Sequence, residues 1–149
     1  MTDDVELFVS SRLRPDEVAG IRAELRDWGW EPQVLRMPAR RGAAEFTWLL
    51  LLTVPAEIFV KTVLEQLGKQ AYESLRGFVQ RHLGREATGD GKQVVVIEEA
   101  GTGAQFGLTA DLPLAAYQQM VEALATGAVE DGFRTFDRKR GRWTADSET

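Results

Sequence analysis

The chain has 149 residues, is 44% hydrophobic and 28% charged, and carries a formal net charge of −5. That length suits one domain, residues 1–149, with a core of its own, and the negative balance opposes non-specific binding to nucleic acid or anionic lipid. With no cysteine, disulfides, thiolate nucleophiles and zinc–thiolate sites are excluded.

The start, MTDDVE, is acidic and leads into strand pattern. It lacks the basic and apolar regions of a secretory signal, so a cytoplasmic location is expected. Val5 to Ser11 mixes β-branched and aromatic residues and predicts a first strand. Pro15-Asp16-Glu17 opens a helix, since proline suits its first turn and acids there complement its dipole. Val18, Ile21, Leu25 and Trp28 give that helix one buried face, and Gly29 ends it. Trp30 to Met37 predicts a second strand, and PARRG (38–42) a polar turn.

Glu45 to Leu83 carries the most information. Glu45 to Val54 predicts a strand with Phe46, Trp48, Leu50, Leu52 and Val54 on one face, and Glu45, Thr47, Leu49, Leu51 and Thr53 on the other. Both faces are apolar at mid-strand, so the strand should be central. Pro55 then marks a change from extended to helical backbone, because a proline inside a helix would cost about 3 kcal/mol. The expected helix runs to Leu83, with an apolar stripe at Val60, Val63, Leu64, Leu67, Ala71, Leu75, Phe78 and Val79. Glu57, Lys61, Glu65, Lys69 and Glu73 repeat at i,i+4 and read as a solvated face. Gly68 and Gly77 weaken the helix. Phe46 to Val60 is the one apolar run to weigh as a membrane span, and it falls short of the about 20 residues needed.

Beyond a polar loop (85–91), Val94 to Glu99 predicts a buried strand, and Gly101 to Gly103 a turn into its hairpin partner, Gln105 to Ala110. Pro113 opens a third helix with Leu114, Tyr117, Met120, Val121 and Leu124 on one face, ended by Gly127. Phe133 to Asp137 and Arg142 to Thr144 predict a short hairpin, and the last residues, DSET, a frayed end.

The element order of residues 5–99 resembles the ferredoxin-like βαββαβ arrangement. The expected fold is therefore α+β, that core extended by a strand, a helix and a short C-terminal hairpin. Such a sheet has helices on one face. Val94 to Ile97 and Trp48 to Leu52 make both faces apolar, so the second must be covered, by the third helix or by a second subunit.

No nucleophile elbow, phosphate loop or metal-ligand spacing is present. The one histidine, His82, sits late in a helix among arginines and reads as surface structure. Glu98 and Glu99 are adjacent on a strand, so they face opposite sides and form no close dyad. No cofactor is expected. Leu7-Phe8-Val9 looks like the first-strand motif of RNA-recognition modules, and Arg41-Gly42 like the start of their third-strand motif. Ala43 and Glu45, however, stand where stacking rings are needed.

These readings predict a non-catalytic, soluble accessory domain that works through contact with a protein partner or with its own copies. The alternative is a small-molecule-sensing domain of the ACT-like kind, which shares the element order. Phe78, Val79 and Leu83 are candidate contact residues, because about 28 helical residues span about 42 Å and a ten-residue strand about 33 Å. The overhang is either covered by C-terminal elements or offered to a partner. Arg138, Lys139, Arg140 and Arg142 form a basic cluster suited to an acidic partner. Trp143 beside it reads as an interface anchor or as the residue that pins the hairpin to the core. Arg36, Arg40 and Arg41 form a second cluster.

Overall fold

A computed structural model describes residues 5–10, 13–36, 46–66, 70–83, 92–127 and 131–145. The turn expected at 38–42, the loop at 85–91, the frayed end and the third-strand RNA motif lie outside them, as do Arg40, Arg41, Leu67, Gly68 and Lys69.

The strands are β1 (Val5–Val9), β2 (Pro32–Arg36), β3 (Phe46–Val54), β4 (Lys92–Glu99), β5 (Ala104–Leu108), β6 (Gly132–Asp137) and β7 (Arg142–Ala145). The helices are α1 (Pro15–Asp27), α2 (Ala56–Lys61), α3 (Ala71–Leu83) and α4 (Leu114–Thr126), with a π-helical turn, Thr62–Gln66, directly after α2. Pro55 is the boundary read from the sequence: β3 ends at Val54 and Pro55 is extended, at φ −63° and ψ 142°. Pro15 opens α1, where Glu17 accepts the Arg14 N–H at 2.9 Å. Gly29 and Gly127 follow α1 and α4 with φ of 93° and 76°, the left-handed conformation that glycine adopts without steric cost.

Among the described residues the strands form one mixed sheet in the order β2-β1-β3-β4-β5-β6-β7. β1/β2, β3/β4 and β5/β6 pair in parallel, and β1/β3, β4/β5 and β6/β7 antiparallel. The fold is α+β, but the ferredoxin-like interleaving is corrected. There β1 and β2 would be separated by another strand; here they are direct neighbours, with Leu7 opposite Val34. The described residues thus make three unsplit βαβ units. Element order is the same for split and unsplit units, so the sequence pattern does not distinguish them.

β3 is central, as its two apolar faces require. A β-bulge between Trp48 and Leu50 pairs Trp48 with Val94 and Leu50 with Val95. The extra residue changes the phase of the strand, so the expected alternation holds from Leu50 to Val54 but not across Leu49. Leu50 and Leu52 join Leu7, Val95, Ile97, Phe106 and Leu108 in the main core, with the buried faces of all the helices. Leu51, Val94 and Val96, with Phe8 and Phe133, make a smaller cluster on the other face. Gly107 lies under Phe133: a Cβ there would stand 2.7 Å from the ring.

The third predicted helix does not cover that second face. Ala116, Tyr117, Met120, Val121 and Leu124 of α4 are buried in the main core, beside α2 and α3. The reason lies in the hand of the crossovers. From β1 to β2 and from β3 to β4, both strand direction and direction of travel along the sheet reverse, so those two units share a hand. From β5 to β6 the strands run as β1 does while the chain travels as from β3. With its helix on the same face, this third unit has the opposite hand. About 98% of such crossovers are right-handed, and a uniform hand would have put α4 on the second face. Docking onto α2 and α3 instead buries its apolar stripe.

Candidate functional site

The helical segment after Pro55 departs most from the sequence expectation. Its start is held by Glu99, which is 8% exposed. One Glu99 oxygen accepts the Ala56 N–H at 3.1 Å and the Gly101 N–H at 2.9 Å. The other accepts the Thr102 N–H at 2.7 Å and its hydroxyl at 2.8 Å. Burial alone would raise the carboxyl pKa, but these hydrogen bonds from Gly101, Thr102 and Ala56 outweigh it and hold it below its ordinary value. The carboxylate fastens the β4–β5 turn to the head of α2.

Further along, the buried Trp30 indole N–H donates to Thr62 Oγ at 2.7 Å. Trp30 belongs to an aromatic cluster, 5.4 Å from Trp28 and 6.3 Å from Phe59, with Phe78 5.2 Å from Trp28. Thr62 is therefore drawn inward, and with it the π turn that it begins. A π turn closes i→i+5 bonds and holds one more residue than an α turn, which moves the apolar stripe out of phase. Phe59, Thr62 and Val63 are buried, and Leu64 is 63% exposed. Leu64 is the one large apolar side chain exposed to that degree among the described residues.

Leu64 borders a groove of about 350 Å³ between α2 and α4. Val60, Leu64, Leu124 and Ala125 supply its apolar lining, and Glu57, Lys61 and Glu65 its charges. Those three side chains make no ion pair among the described residues. The arrangement is an apolar strip flanked by both signs of charge. Sequence reasoning placed Leu64 on the core stripe and took Glu57, Lys61 and Glu65 for a solvated face. It missed the groove because an α-helical period carries no sign of the π turn.

The residues singled out in the sequence fall elsewhere. Phe78 and Val79 are 3% and 1% exposed, covered within the chain, which removes them as a contact surface. Leu83 ends α3, and its side chain lies outside the described ones. Trp143 pins the hairpin: its indole N–H donates to the Ala116 carbonyl at 2.9 Å, and its ring meets Phe106 and Phe136 edge-on at 5.1 and 5.6 Å. The basic cluster is partly neutralised. Arg138 bonds the Asp111 carbonyl and lies 3.3 Å from its carboxylate, and Arg140 lies 3.6 Å from that of Asp137. Lys139 and Arg142 are exposed on or beside the same turn, as is Arg36 at the end of β2. His82 is half-buried rather than superficial. Its Nε2 lies 2.6 Å from Glu24, which also pairs with Arg81, so α1 is tied to α3.

Glu98 faces the sheet side opposite Glu99, as alternation requires, and accepts Thr53 Oγ at 2.9 Å and Gln105 Nε2 at 3.2 Å. Among the described residues no group of three or more His, Asp or Glu side chains could hold a metal ion. No described helix is long and apolar enough to cross a membrane. Comparison with known proteins returns no family model, curated protein or solved structure that matches this chain.

Proposed function

We propose that this domain acts without catalysis, as a cytoplasmic accessory module that engages a polypeptide partner through the groove between α2 and α4. The observation that carries this reading is Leu64, 63% exposed, at the border of an apolar groove flanked by charges of both signs. Burying a leucine side chain is worth about 1.5–3 kcal/mol. The groove between two helices can receive an apolar anchor, and the charges around it can select register. The hairpin cluster is the weaker candidate, since Asp111 and Asp137 already answer two of its cations.

A cysteine-free chain lets one position be labelled cleanly. A photoactivatable crosslinker attached to Leu64→Cys, in the native cell extract, is expected to join a second polypeptide. The same label on Ala23→Cys, exposed on α1, is expected to join none. Equal yields at both positions, or no adduct at position 64, would overturn the reading.

A further inference from the structure

We infer that the polypeptide received by the α2–α4 groove is a second copy of this chain, related by a two-fold axis beside the π turn. The inference rests on the reading of the groove as a docking surface and adds the identity of the occupant. A closed homodimer needs one surface that complements itself. This surface carries both halves of such a contact. Leu64 projects at the border of the groove, and Val60, Leu124 and Ala125 line it alongside. A two-fold rotation lays the Leu64 of each copy over the apolar lining of the other.

Charge supports the same occupant. Lys61 and Glu65 stand four positions apart beside the groove, exposed and without ion-pair partners among the described residues. Two copies of the segment laid antiparallel, about an axis that passes between Lys61 and Glu65 on the exposed face, set Lys61 of each against Glu65 of the other. Each charge is then answered once, and the pair occurs twice by symmetry. A strongly acidic or strongly basic partner would meet a like charge beside each opposite one. The copy-on-copy arrangement has no such mismatch at these two positions.

The two-fold pairing makes a demanding prediction for charge reversal. In a Lys61→Glu homodimer both reciprocal pairs become acid against acid, and in Glu65→Lys both become base against base. Each variant is expected to weaken dimerisation by roughly tenfold or more, since like charges brought together in an interface oppose association. Mixing the two variants restores both pairs, and the mixture is expected to dimerise about as tightly as the parent chain. The parent, each variant and the mixture are read by sedimentation equilibrium over a concentration series, with circular dichroism as the check on folding. Leu64→Glu is expected to remain monomeric throughout.

A parent chain that is monomeric across the series would overturn the inference. So would a dimer indifferent to Leu64→Glu, or variants whose mixture fails to recover. If the parent is monomeric while position 64 still crosslinks a different polypeptide in extract, the second-copy inference fails and the docking reading survives. If position 64 crosslinks nothing, both fail.

Discussion

α3 and the π turn ahead of it share the same alternation of apolar and charged residues, yet they meet opposite fates. In α3 the stripe goes inward: Leu75, Phe78 and Val79 are buried, and Glu73 and Gln80 stay outside. In the π turn the stripe is displaced: Thr62, a polar residue, is buried and Leu64 is exposed. The difference comes from what each segment meets. α3 packs on α4 and β4 and keeps the α-helical period. The turn meets the Trp30 indole, whose N–H needs an acceptor when buried, and Thr62 supplies it. One hydrogen bond thus accompanies a shift of phase that puts a leucine outside.

Substitutions in the two regions should separate accordingly. Phe78→Ala removes a buried ring packed on Trp28 and His82, and should cost about 3–5 kcal/mol in urea unfolding. Glu99→Gln keeps the shape but gives up a charge-assisted acceptor at the head of α2, and should cost about 1.5–3 kcal/mol. It should also change the acid limb of stability. The folded pKa of Glu99 lies below its ordinary 4.5, so its contribution is complete above that value and is lost as pH falls through the lowered folded value. The Gln variant should lack that part of the slope.

Thr62→Val leaves the Trp30 N–H buried without an acceptor, a loss of about 1–3 kcal/mol. If the hydrogen bond holds the π turn in place, this variant should also alter hydrogen exchange across 62–66 while α3 is unchanged. Tyr117→Phe goes the other way. The phenol is buried in α4 without a hydrogen-bond partner among the described residues, and burial pushes its pKa well above the ordinary value. Removing the hydroxyl should be neutral to stabilising by about 1 kcal/mol. Leu64→Ala should move folding stability least, within about 0.5 kcal/mol for the monomer, although the same leucine is the proposed anchor.

The elements themselves were legible. Pro15, Gly29, Pro55 and Gly127 punctuate the chain because each has a conformational preference that acts locally, and each stands at the boundary it predicts. The central place of β3 was legible too, from two apolar faces at Leu50, Leu51 and Leu52. Sheet order was not. Whether β1 and β2 touch or admit a strand between them depends on how three βαβ units dock, and no local pattern records it. The side chosen by α4 was hidden for the same reason, and one hand shared by all three crossovers would point to the other face. At the groove, the charges Glu57, Lys61 and Glu65 were visible as a periodic stripe, but Leu64 was assigned to the core. Its exposure accompanies a π turn and a bond between residues 32 positions apart, and a single period run through the segment cannot register them.

The most direct test compares thiol reactivity in two single-cysteine variants of this naturally cysteine-free chain, Leu64→Cys and Val79→Cys, in native dilute protein. The phase shift predicts that the thiol at position 64 reacts at close to the rate of the unfolded chain. The thiol at position 79 should be protected and react only through opening of the fold. Equal protection at the two positions would contradict the account and remove the groove with it.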